Sequence, residues 1–438
     1  MRSEQIQKLH ESAAFCIPGH RPDCEIYAGD GAIRMIPELL ESKKLTGVFL
    51  LADKNTYDAA GAQVEQILRD SGRQIKKYIF EADHLIPDEA AVGLGILHYA
   101  PDCQMVIAVG SGVINDIGKI IANVSGKPYM IVATAPSMDG YASATSSMEQ
   151  QGLKVSVPSK CPDIIIGDTD ILAQAPMQAL ASGLGDVIAK YVSICEWRIA
   201  HIITGEKYSA DIAAMVRGSL KKCMDNLDKL LMRDHTAVAA VFEGLAICGI
   251  AMSYAGLSRP ASGCEHYISH VLDMRGAQFR TPTQTHGLQC AMGTLITVKA
   301  YQKLRAMTPD REKALAYAAS FDYPAWRARL HTLVGDGANA MEEIEKKEGK
   351  YDVRRHKDRL EIILANWETI VKIMDEELPD PAYLEDALDK LNAPKCLHDI
   401  GTDDGLLPDV FSATRDIRDK YVLSRLIWDL GIPPEEVL

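Results

Sequence analysis

The feature that most constrains the fold is a change of pattern along the chain. Up to about residue 170, short β-branched runs alternate with segments of helical periodicity. Strands that alternate with helices favour a parallel, doubly wound sheet with helices on both faces. The predicted strands are 48–53, 76–80, 104–110 and 129–135, and a further strand or hairpin is expected within 157–168.

The second half of the chain has helical spacing and few β-rich runs. Helical segments are predicted at 177–201, 208–231, 236–254, 265–274, 287–304 and 359–375. The fold class is therefore α/β plus all-α. We predict a Rossmann-like, parallel-sheet nucleotide domain over 1–171 and an all-helical domain over 172–438, with a cleft between them. The charge-dense stretch 342–359 is expected to be a solvated helix face or loop.

The charge balance limits the possible partners. The 438 residues include 47 Lys and Arg against 60 Asp and Glu, which gives a formal net charge of −13. Such a surface repels nucleic acid and anionic lipid, so neither is expected as a general partner. A phosphorylated substrate would need a local positive site, which a metal ion or a helix N-terminus can supply.

Cysteine usage and hydropathy favour a cytoplasmic protein. The ten cysteines contain no CxxC pair and are predicted to be free thiols in a reducing compartment. Residues 1–15 lack the apolar core of a signal peptide. The longest apolar stretch, 237–257, is rich in Ala and Gly and contains Glu243, so we expect a buried helix and no membrane span.

A glycine-containing turn is the first candidate ligand site. The segment AVGSGVINDIGK, residues 108–119, follows a predicted strand and opens a helix. Gly110 and Gly112 would let the backbone approach a pyrophosphate, which the free N–H groups of the helix would bind. The spacing is not GxGxxG, and glycines at such a turn are equally often only structural.

Two more loops follow predicted strands, at the edge where parallel sheets bind ligands. Asp53 would either accept hydrogen bonds from an adenosine ribose, favouring NAD over NADP, or cap the next helix. The loop 134–147 is rich in hydroxyl groups, and its Thr134, Ser137 and Ser143 could meet phosphate, ribose or nicotinamide. An ordinary Ser/Thr loop would have the same composition.

Three elements of the helical half suggest a metal site. Asp186 follows a glycine-rich lead-in and is expected near a helix start, and His286 precedes another apolar helix. His266 and His270 are four residues apart, which places both imidazoles on one helix face. One carboxylate with two or more imidazoles suits Zn²⁺, Ni²⁺ or Fe²⁺ and leaves positions open for a substrate. Isolated histidines are more often surface or satisfied core residues, so spacing alone leaves this open.

Taken together, the motifs resemble a known family. GSGVINDIGK, TAPSMDGYAS, GLGDVIAKY, GCEHYISHVLDM and THGLQCAMGTL occur in this order between residues 45 and 300. Their order and spacing resemble the glycerol-1-phosphate dehydrogenases, which belong to the superfamily of iron-containing alcohol dehydrogenases, glycerol dehydrogenases and dehydroquinate synthases. Each motif is weak singly, but the ordered set is specific.

The resemblance implies site residues. It implies that Asp186, His266 and His286 bind the metal, Zn²⁺ or Ni²⁺ or else Fe²⁺, and that His270 and Asp139 lie beside the substrate with Asp186. His270 would relay a proton and Asp139 would orient a hydroxyl group. The residues implied to bind NAD(P)H are Asp53, Gly110, Ser111, Gly112, Val113, Ile114, Asp116, Thr134, Ala135, Pro136, Ser137 and Ser143.

The implied activity is reversible, NAD(P)H-dependent reduction of dihydroxyacetone phosphate to glycerol 1-phosphate, a step of phospholipid biosynthesis, by a homodimer or larger homo-oligomer. The alternatives are a glycerol or other polyol dehydrogenase, a dehydroquinate synthase-like lyase and a non-catalytic nucleotide- or metal-binding protein. The chain departs from the family in reading GSG where many members read GGG, in Cys264 before His266, and in a long region 324–359. Lys154, Lys190, Arg259 and Arg275 are candidate partners of the substrate phosphate, and the sequence does not choose among them.

Overall fold

The computed structural model describes residues 24–150 and 153–438, without the side chains of residues 153 and 154. The predicted free thiol of Cys16, the N-terminal segment 1–15 and the side chain of Lys154 therefore lie outside the described residues. The nine cysteines that are described are free thiols, in agreement with the prediction.

A six-stranded parallel sheet forms the core of the first half. Its strands are arranged in the order β1-β8-β5-β4-β2-β3, and a separate antiparallel hairpin joins β6 to β7. The strands are β1 Glu25–Gly29, β2 Gly47–Asp53, β3 Gln74–Phe80, β4 Met105–Gly110, β5 Tyr129–Ala133, β6 Thr145–Gln150, β7 Leu153–Pro158 and β8 Ile164–Asp168. The central strands β4, β5 and β8 are buried along their whole length, as parallel strands covered on both faces must be.

The sequence prediction matches the parallel sheet except at β1, and in the separate hairpin it misses β6 and most of β7. The strand β1 had no predicted counterpart, and β6 begins at Thr145 inside the segment predicted as a loop. Both exceptions have a physical reason: β1 is a five-residue edge strand, and the hairpin strand TSSMEQ is polar, so neither carries a long apolar run.

Helices make up most of the remaining structure. In chain order they are α1 Ile36–Ser42, α2 Lys54–Thr56, α3 Ala62–Asp70, α4 Glu89–Leu97, α5 Gly112–Ser125, α6 Thr169–Leu172, α7 Met177–Ile188, α8 Lys190–Thr204, α9 Ala210–Met224, α10 Leu227–Leu231, α11 His235–Ala255, α12 Cys264–Phe279, α13 His286–Leu304, α14 Arg311–Ala319, α15 Tyr323–Val334, α16 Gly337–Glu348, α17 Val353–Ala365, α18 Trp367–Glu377, α19 Pro381–Lys390, α20 Leu407–Ala413 and α21 Leu423–Asp429. A π-helical turn, Tyr57–Gly61, joins α2 to α3.

The chain forms two compact units. The first contains the described residues up to Val187 together with Ala214–Leu257, and the second contains Ile188–Ala213 and Ser258–Leu438. The fold class, a parallel-sheet half followed by a helical half, agrees with the prediction, whereas the domain boundary after residue 171 stays a prediction. The strands all lie in the first unit and the second unit is helical where it is described.

The long apolar helix α11 is a core helix of the first unit. It is the one described helix that is long and apolar enough to cross a membrane, and 72% of its most apolar window is buried. Its Phe242 packs so closely on Gly167 of β8 that a Cβ there would lie 2.2 Å from the ring. The expectation of a buried helix is confirmed, and its small residues permit close packing, since a Cβ at Gly249 would lie 2.8 Å from the Cβ of Ala142.

The charge-dense stretch 342–359 has exposed helix faces, as predicted, and also contains a few buried charged groups. Lys350 is only 8% exposed, and its Nζ donates to the carbonyl oxygen of Arg415 at 2.7 Å. Glu345 accepts the backbone N–H of Lys350 at 2.8 Å, and Arg359 pairs with Asp429 at 2.9 Å. The partners come from residues about sixty to seventy positions further along the chain, so charge density along the sequence could not reveal the burial.

Candidate functional site

The glycine turn after β4 is constrained by its surroundings. A Cβ at Gly110 would lie 2.5 Å from the Cβ of Ile114, so only glycine fits there. Helix α5 begins at Gly112, and its N-cap Ser111 makes no side-chain capping bond within the described part of the chain. Val113 is half-buried in the first turn. A helix that begins at a glycine turn after a parallel strand is the arrangement that binds phosphate groups in other proteins.

Two predicted cofactor residues have structural partners. Asp53 caps α2, accepting the N–H of Thr56 at 2.8 Å, while Thr56 Oγ1 accepts the N–H of Asp53. The capping role that the sequence left open is therefore real, and it uses one carboxylate oxygen. Asp116 forms an ion pair at 3.0 Å with the buried Lys119, whose Nζ also lies 3.3 Å from the hydroxyl of Ser143.

The loop after β5 is held in place by short contacts. The N–H of Thr134 donates to the carbonyl of Gly110, and the hydroxyl of Tyr141 donates to the carbonyl of Ala135 at 2.7 Å. Helix α7 approaches this loop so closely that a Cβ at Gly183 would lie 1.7 Å from the carbonyl oxygen of Pro136. The hydroxyl of Ser182 donates to the carbonyl of Ser137 at 3.1 Å. The loop therefore has one defined conformation beside the glycine turn.

Asp186 lies in the last turn of α7, and the prediction that it stands near a helix start is wrong. The reason is that the preceding Gly183 belongs to the helix, where it permits the close approach to Pro136. Asp186 is fully buried, and its Oδ2 accepts the backbone N–H of Asp139 at 2.9 Å. This bond fixes two of the predicted site residues relative to each other within the first unit.

The three predicted histidines come together in the second unit. His266 and His270 lie on α12, and His286 is the first residue of α13. The ring centroids are 5.2 Å apart between His266 and His286, 5.8 Å between His270 and His286, and 6.5 Å between His266 and His270. Helices α12 and α13 are close because Gly293 of α13 has no Cβ, which would lie 2.6 Å from the carbonyl oxygen of Glu265.

Hydrogen bonds orient two of the imidazoles. His266 Nδ1 lies 2.9 Å from Oε1 of the buried Glu265, and His286 Nδ1 lies 3.2 Å from the hydroxyl of Ser269. A carboxylate only accepts, so Glu265 favours a proton on Nδ1 and a lone pair on Nε2 of His266, which is the usual arrangement of metal-binding histidines. The sequence predicts no role for Glu265 in this site.

A second set of contacts supports His286. The amide nitrogen of Gln289 donates to the hydroxyl of Ser269 at 3.0 Å and to Asp273 Oδ1 at 2.8 Å. These polar residues are one helical turn from the histidines, and that spacing is the only sequence signal that could have found them.

Two cysteines lie beside the histidines, and the pKa values of their thiols are shifted in opposite directions. Burial, with the charge of Glu196, raises the pKa of the Cys264 thiol well above its ordinary value. Cys290 is buried too, and its Sγ lies 3.6 Å from Nε2 of His286. Burial alone would raise the pKa of Cys290, but the charges of His266 and His286 and hydrogen bonds to them lower it.

Three candidate partners of the substrate phosphate make hydrogen bonds or ion pairs with other residues of the second unit. Lys190 donates to the carbonyl of Ala261 at 3.0 Å, and Arg259 pairs with Glu206 at 2.7 Å. Arg275 donates to the carbonyl of Leu333 at 2.9 Å. The contacts of these three side chains single out none of them as the substrate's phosphate partner.

Comparison with known proteins adds independent information. A family model described as iron-containing alcohol dehydrogenase matches residues 27–176. The chain is 26% identical over 425 residues to the glycerol-1-phosphate dehydrogenase [NAD(P)+] of Halalkalibacterium halodurans, covering 95% of this chain and 96% of that protein. It is 31% identical over 303 residues to the enzyme of the same name from Bacillus subtilis, covering 67% and 77% respectively.

A solved structure shares the fold. Maleylacetate reductase from Rhizobium sp. strain MTP-10005 superposes with a TM-score of 0.60 at 15% identity, covering 94% of this chain and 95% of that chain. At this identity the likeness concerns the fold alone. Together with the ordered motifs and the clustered histidines, the sequence matches show that the chain belongs to the glycerol-1-phosphate dehydrogenase family.

Proposed function

We propose that this protein is a metal-dependent dehydrogenase that reduces dihydroxyacetone phosphate to glycerol 1-phosphate with NAD(P)H, reversibly. The relatives named glycerol-1-phosphate dehydrogenase [NAD(P)+] support the activity and the cofactor. The observation that carries the proposal is the clustering of His266, His270 and His286, whose ring centroids lie 5.2 to 6.5 Å apart.

We assign one divalent ion to Asp186, His266 and His286. The donor set fits because carboxylate and imidazole groups suit Zn²⁺, Ni²⁺ or Fe²⁺, and because the carboxylate of Glu265 orients His266 by accepting from its Nδ1. When bound, such an ion acts as a Lewis acid on the ketone oxygen. Asp139 would be held beside the ion through its bond to Asp186.

We assign NAD(P)H to the glycine turn and the loop after β5. The uncapped start of α5 would bind the pyrophosphate, with Gly110, Ser111, Gly112, Val113 and Ile114 along the turn. Asp53 keeps one carboxylate oxygen outside its capping bond for a ribose hydroxyl. The nicotinamide side would be lined by Thr134, Ala135, Pro136 and Ser137. The other two predicted cofactor residues, Asp116 and Ser143, both contact Lys119.

His270 is the proposed proton carrier. It is half-buried, and its ring stacks at 18° to that of His286, with 5.8 Å between centroids. Imidazole is suited to move a proton near neutral pH, so His270 would give a proton to the oxygen of the reduced ketone. Asp139 would orient a substrate hydroxyl group, and Asp186 would lie beside the same substrate.

The proposal also covers the cellular location, the oligomeric state and the pathway of the enzyme. Nine free thiols support a reducing, cytoplasmic location. The family assignment supports a homo-oligomer, a dimer or larger, that acts in phospholipid biosynthesis.

The test is NADH oxidation with dihydroxyacetone phosphate, with dihydroxyacetone and without ketone, each with and without added Ni²⁺ or Zn²⁺. Turnover with the phosphorylated ketone alone supports the proposal. Equal turnover with dihydroxyacetone would instead indicate a glycerol dehydrogenase. Binding of NADH without turnover under any metal would indicate a nucleotide-binding protein.

A further inference from the structure

Glu196 is a buried carboxylate of α8 that bonds the beginnings of two other helices. It is 1% exposed, and its Oε2 accepts the backbone N–H of Cys264 at 2.9 Å. Its Oε1 accepts the backbone N–H of Leu423 at 2.8 Å. Cys264 is the first residue of α12, and Leu423 is the first residue of α21. All three residues belong to the second unit, so these contacts form within one compact body.

The two bonds of Glu196 replace side-chain caps that both helices lack. Gly263 precedes α12 and Val422 precedes α21, and neither residue has a polar side chain with which to cap a helix. The first N–H groups of a helix have no partner inside it, and the helix dipole attracts a negative charge to this end. One buried carboxylate therefore satisfies donors of two helices, and its loss would leave buried N–H groups without an acceptor.

The backbone at the start of α12 connects Glu196 to His266, which lies in the first turn of that helix. A Cβ at Gly263 would lie 2.4 Å from Oε2 of Glu196 and 2.8 Å from Oε2 of Glu265, so this backbone packs directly against both carboxylates. The N–H of Gly263 donates to Oε1 of Glu265 at 2.7 Å, and the same oxygen lies 2.9 Å from Nδ1 of His266. The place of the His266 ring therefore depends on where the backbone at 263–264 is held.

We propose that Glu196 is a positioning residue of the metal site. By bonding the start of α12 it sets the place of His266 and, one turn later, of His270, and it acts through the backbone and not by contact with the ion. The bond to Leu423 fixes the carboxylate itself, because it ties Glu196 to α21. This inference rests on the proposed function, since it concerns the ion assigned to His266.

A purely structural role is the alternative, and the chain supplies a matched control for it. Glu345 is a carboxylate of the same unit, 6% exposed, that also accepts two backbone N–H groups, from Lys350 at 2.8 Å and from Tyr351 at 3.2 Å. Those bonds lie after the end of α16 and not at α12. An amide has one acceptor oxygen where a carboxylate has two, so Glu345→Gln and Glu196→Gln make the same chemical change. Only Glu196→Gln weakens the bonds that hold the helix of the histidines.

The experiment measures the Zn²⁺ affinity of the metal-free wild type, Glu196→Gln and Glu345→Gln, together with the visible d–d bands of the three proteins loaded with Co²⁺. These bands report the geometry of the ligands around the ion, which a loss of overall stability does not change. We expect the Zn²⁺ affinity to fall by about tenfold in Glu196→Gln and to keep its wild-type value in Glu345→Gln. The d–d bands should shift in Glu196→Gln alone.

A second variant, Glu196→Asp, keeps both oxygens and the charge but is shorter by one methylene group. It is expected to fold even if Glu196→Gln does not, and it should also shift the d–d bands. Unshifted bands with wild-type Zn²⁺ affinity in the folded variants of Glu196, or an equal loss of affinity in Glu345→Gln, would overturn the positioning role and leave the proposed function standing. Failure of the wild type to bind Zn²⁺ or Co²⁺ would overturn both.

Discussion

The hydrogen bonds of individual ring nitrogens distinguish the roles of the histidines. Both His266 and His286 have Nδ1 near an oxygen of α12, from Glu265 in one case and Ser269 in the other. His270 stacks on His286 from the next turn of α12. These contacts favour two histidines that bind an ion and one that serves the substrate.

The first prediction concerns this division. His266→Ala should lose both the metal and turnover, because it removes a ligand. His270→Ala should keep the metal and lose about 10²-fold to 10⁴-fold in kcat, as expected for a proton carrier. Metal content and kcat, measured on the same preparations, check this, and equal metal loss in the two variants would reject the division.

The second prediction concerns Glu265, which is fully buried behind His266. Glu265→Gln removes the negative charge that makes the imidazole a better donor, so the affinity for Zn²⁺ should fall by about 10-fold to 100-fold. The control is Glu345→Gln, a carboxylate that is 6% exposed in the same unit and bonded to Lys350. If both variants bind Zn²⁺ equally well, Glu265 does not position the ligand.

The sequence identifies some of these residues and misses others for a clear reason. The spacing of four between His266 and His270 predicts a shared helix face, and the rings are 6.5 Å apart. Ser269 and Gln289 are ordinary residue types, and their importance comes from contacts between α12 and α13. No periodic pattern records which side chain meets which across an interface.

At the scale of elements, apolar runs predict the central strands and the long helices well. The predicted strand 48–53 corresponds to β2, and the predicted helix 236–254 corresponds to α11. The predicted helical stretch 177–201 is interrupted at Ala189, between α7 and α8. Alanine continues most helices, so nothing in the local sequence marks this break.

The third prediction concerns the packing of α7 on the loop after β5. Gly183→Ala places a Cβ 1.7 Å from the carbonyl oxygen of Pro136, so it should destabilise the protein by about 3 kcal/mol or more. Gly218→Ala on α9, whose Cβ would meet no described atom within 4 Å, should be neutral or stabilise by up to about 1 kcal/mol. Thermal unfolding of both variants decides this, and equal melting temperatures would contradict the packing argument.

The fourth prediction concerns Glu65, which ties α3 to β3. Burial would raise the pKa of Glu65, but hydrogen bonds from Lys77, Tyr57 and Arg69 lower it to about 2. Because the folded pKa lies below the unfolded value, the stabilisation is present above about pH 4.5 and is lost as the pH falls toward 2.

Glu65→Gln should therefore lower stability by about 1–2 kcal/mol at pH 7, after allowance for the exposed partners. The difference from the wild type should be constant from about pH 5 to 8 and shrink below about pH 4.5. Urea unfolding across this range measures it, and a difference that grows on acidification would contradict the assignment.

At the scale of the whole molecule, the alternation of strands and helices followed by helices alone is enough to predict the fold class. Function needs more, because this fold also carries other activities, as the maleylacetate reductase shows. The ordered motifs narrow the function, and the matches to glycerol-1-phosphate dehydrogenases support it. The net charge of −13 fits a phosphorylated substrate only if a local positive centre attracts it.

The central claim is that a bound metal ion forms this positive centre. One titration tests it most directly. Metal-free protein receives increasing Zn²⁺ or Ni²⁺ while NADH oxidation by dihydroxyacetone phosphate is followed. We predict a rate that rises from near zero and stops at one equivalent of metal per chain, with no such rise in Asp186→Asn. A metal-free protein that turns over at the full rate would contradict the account.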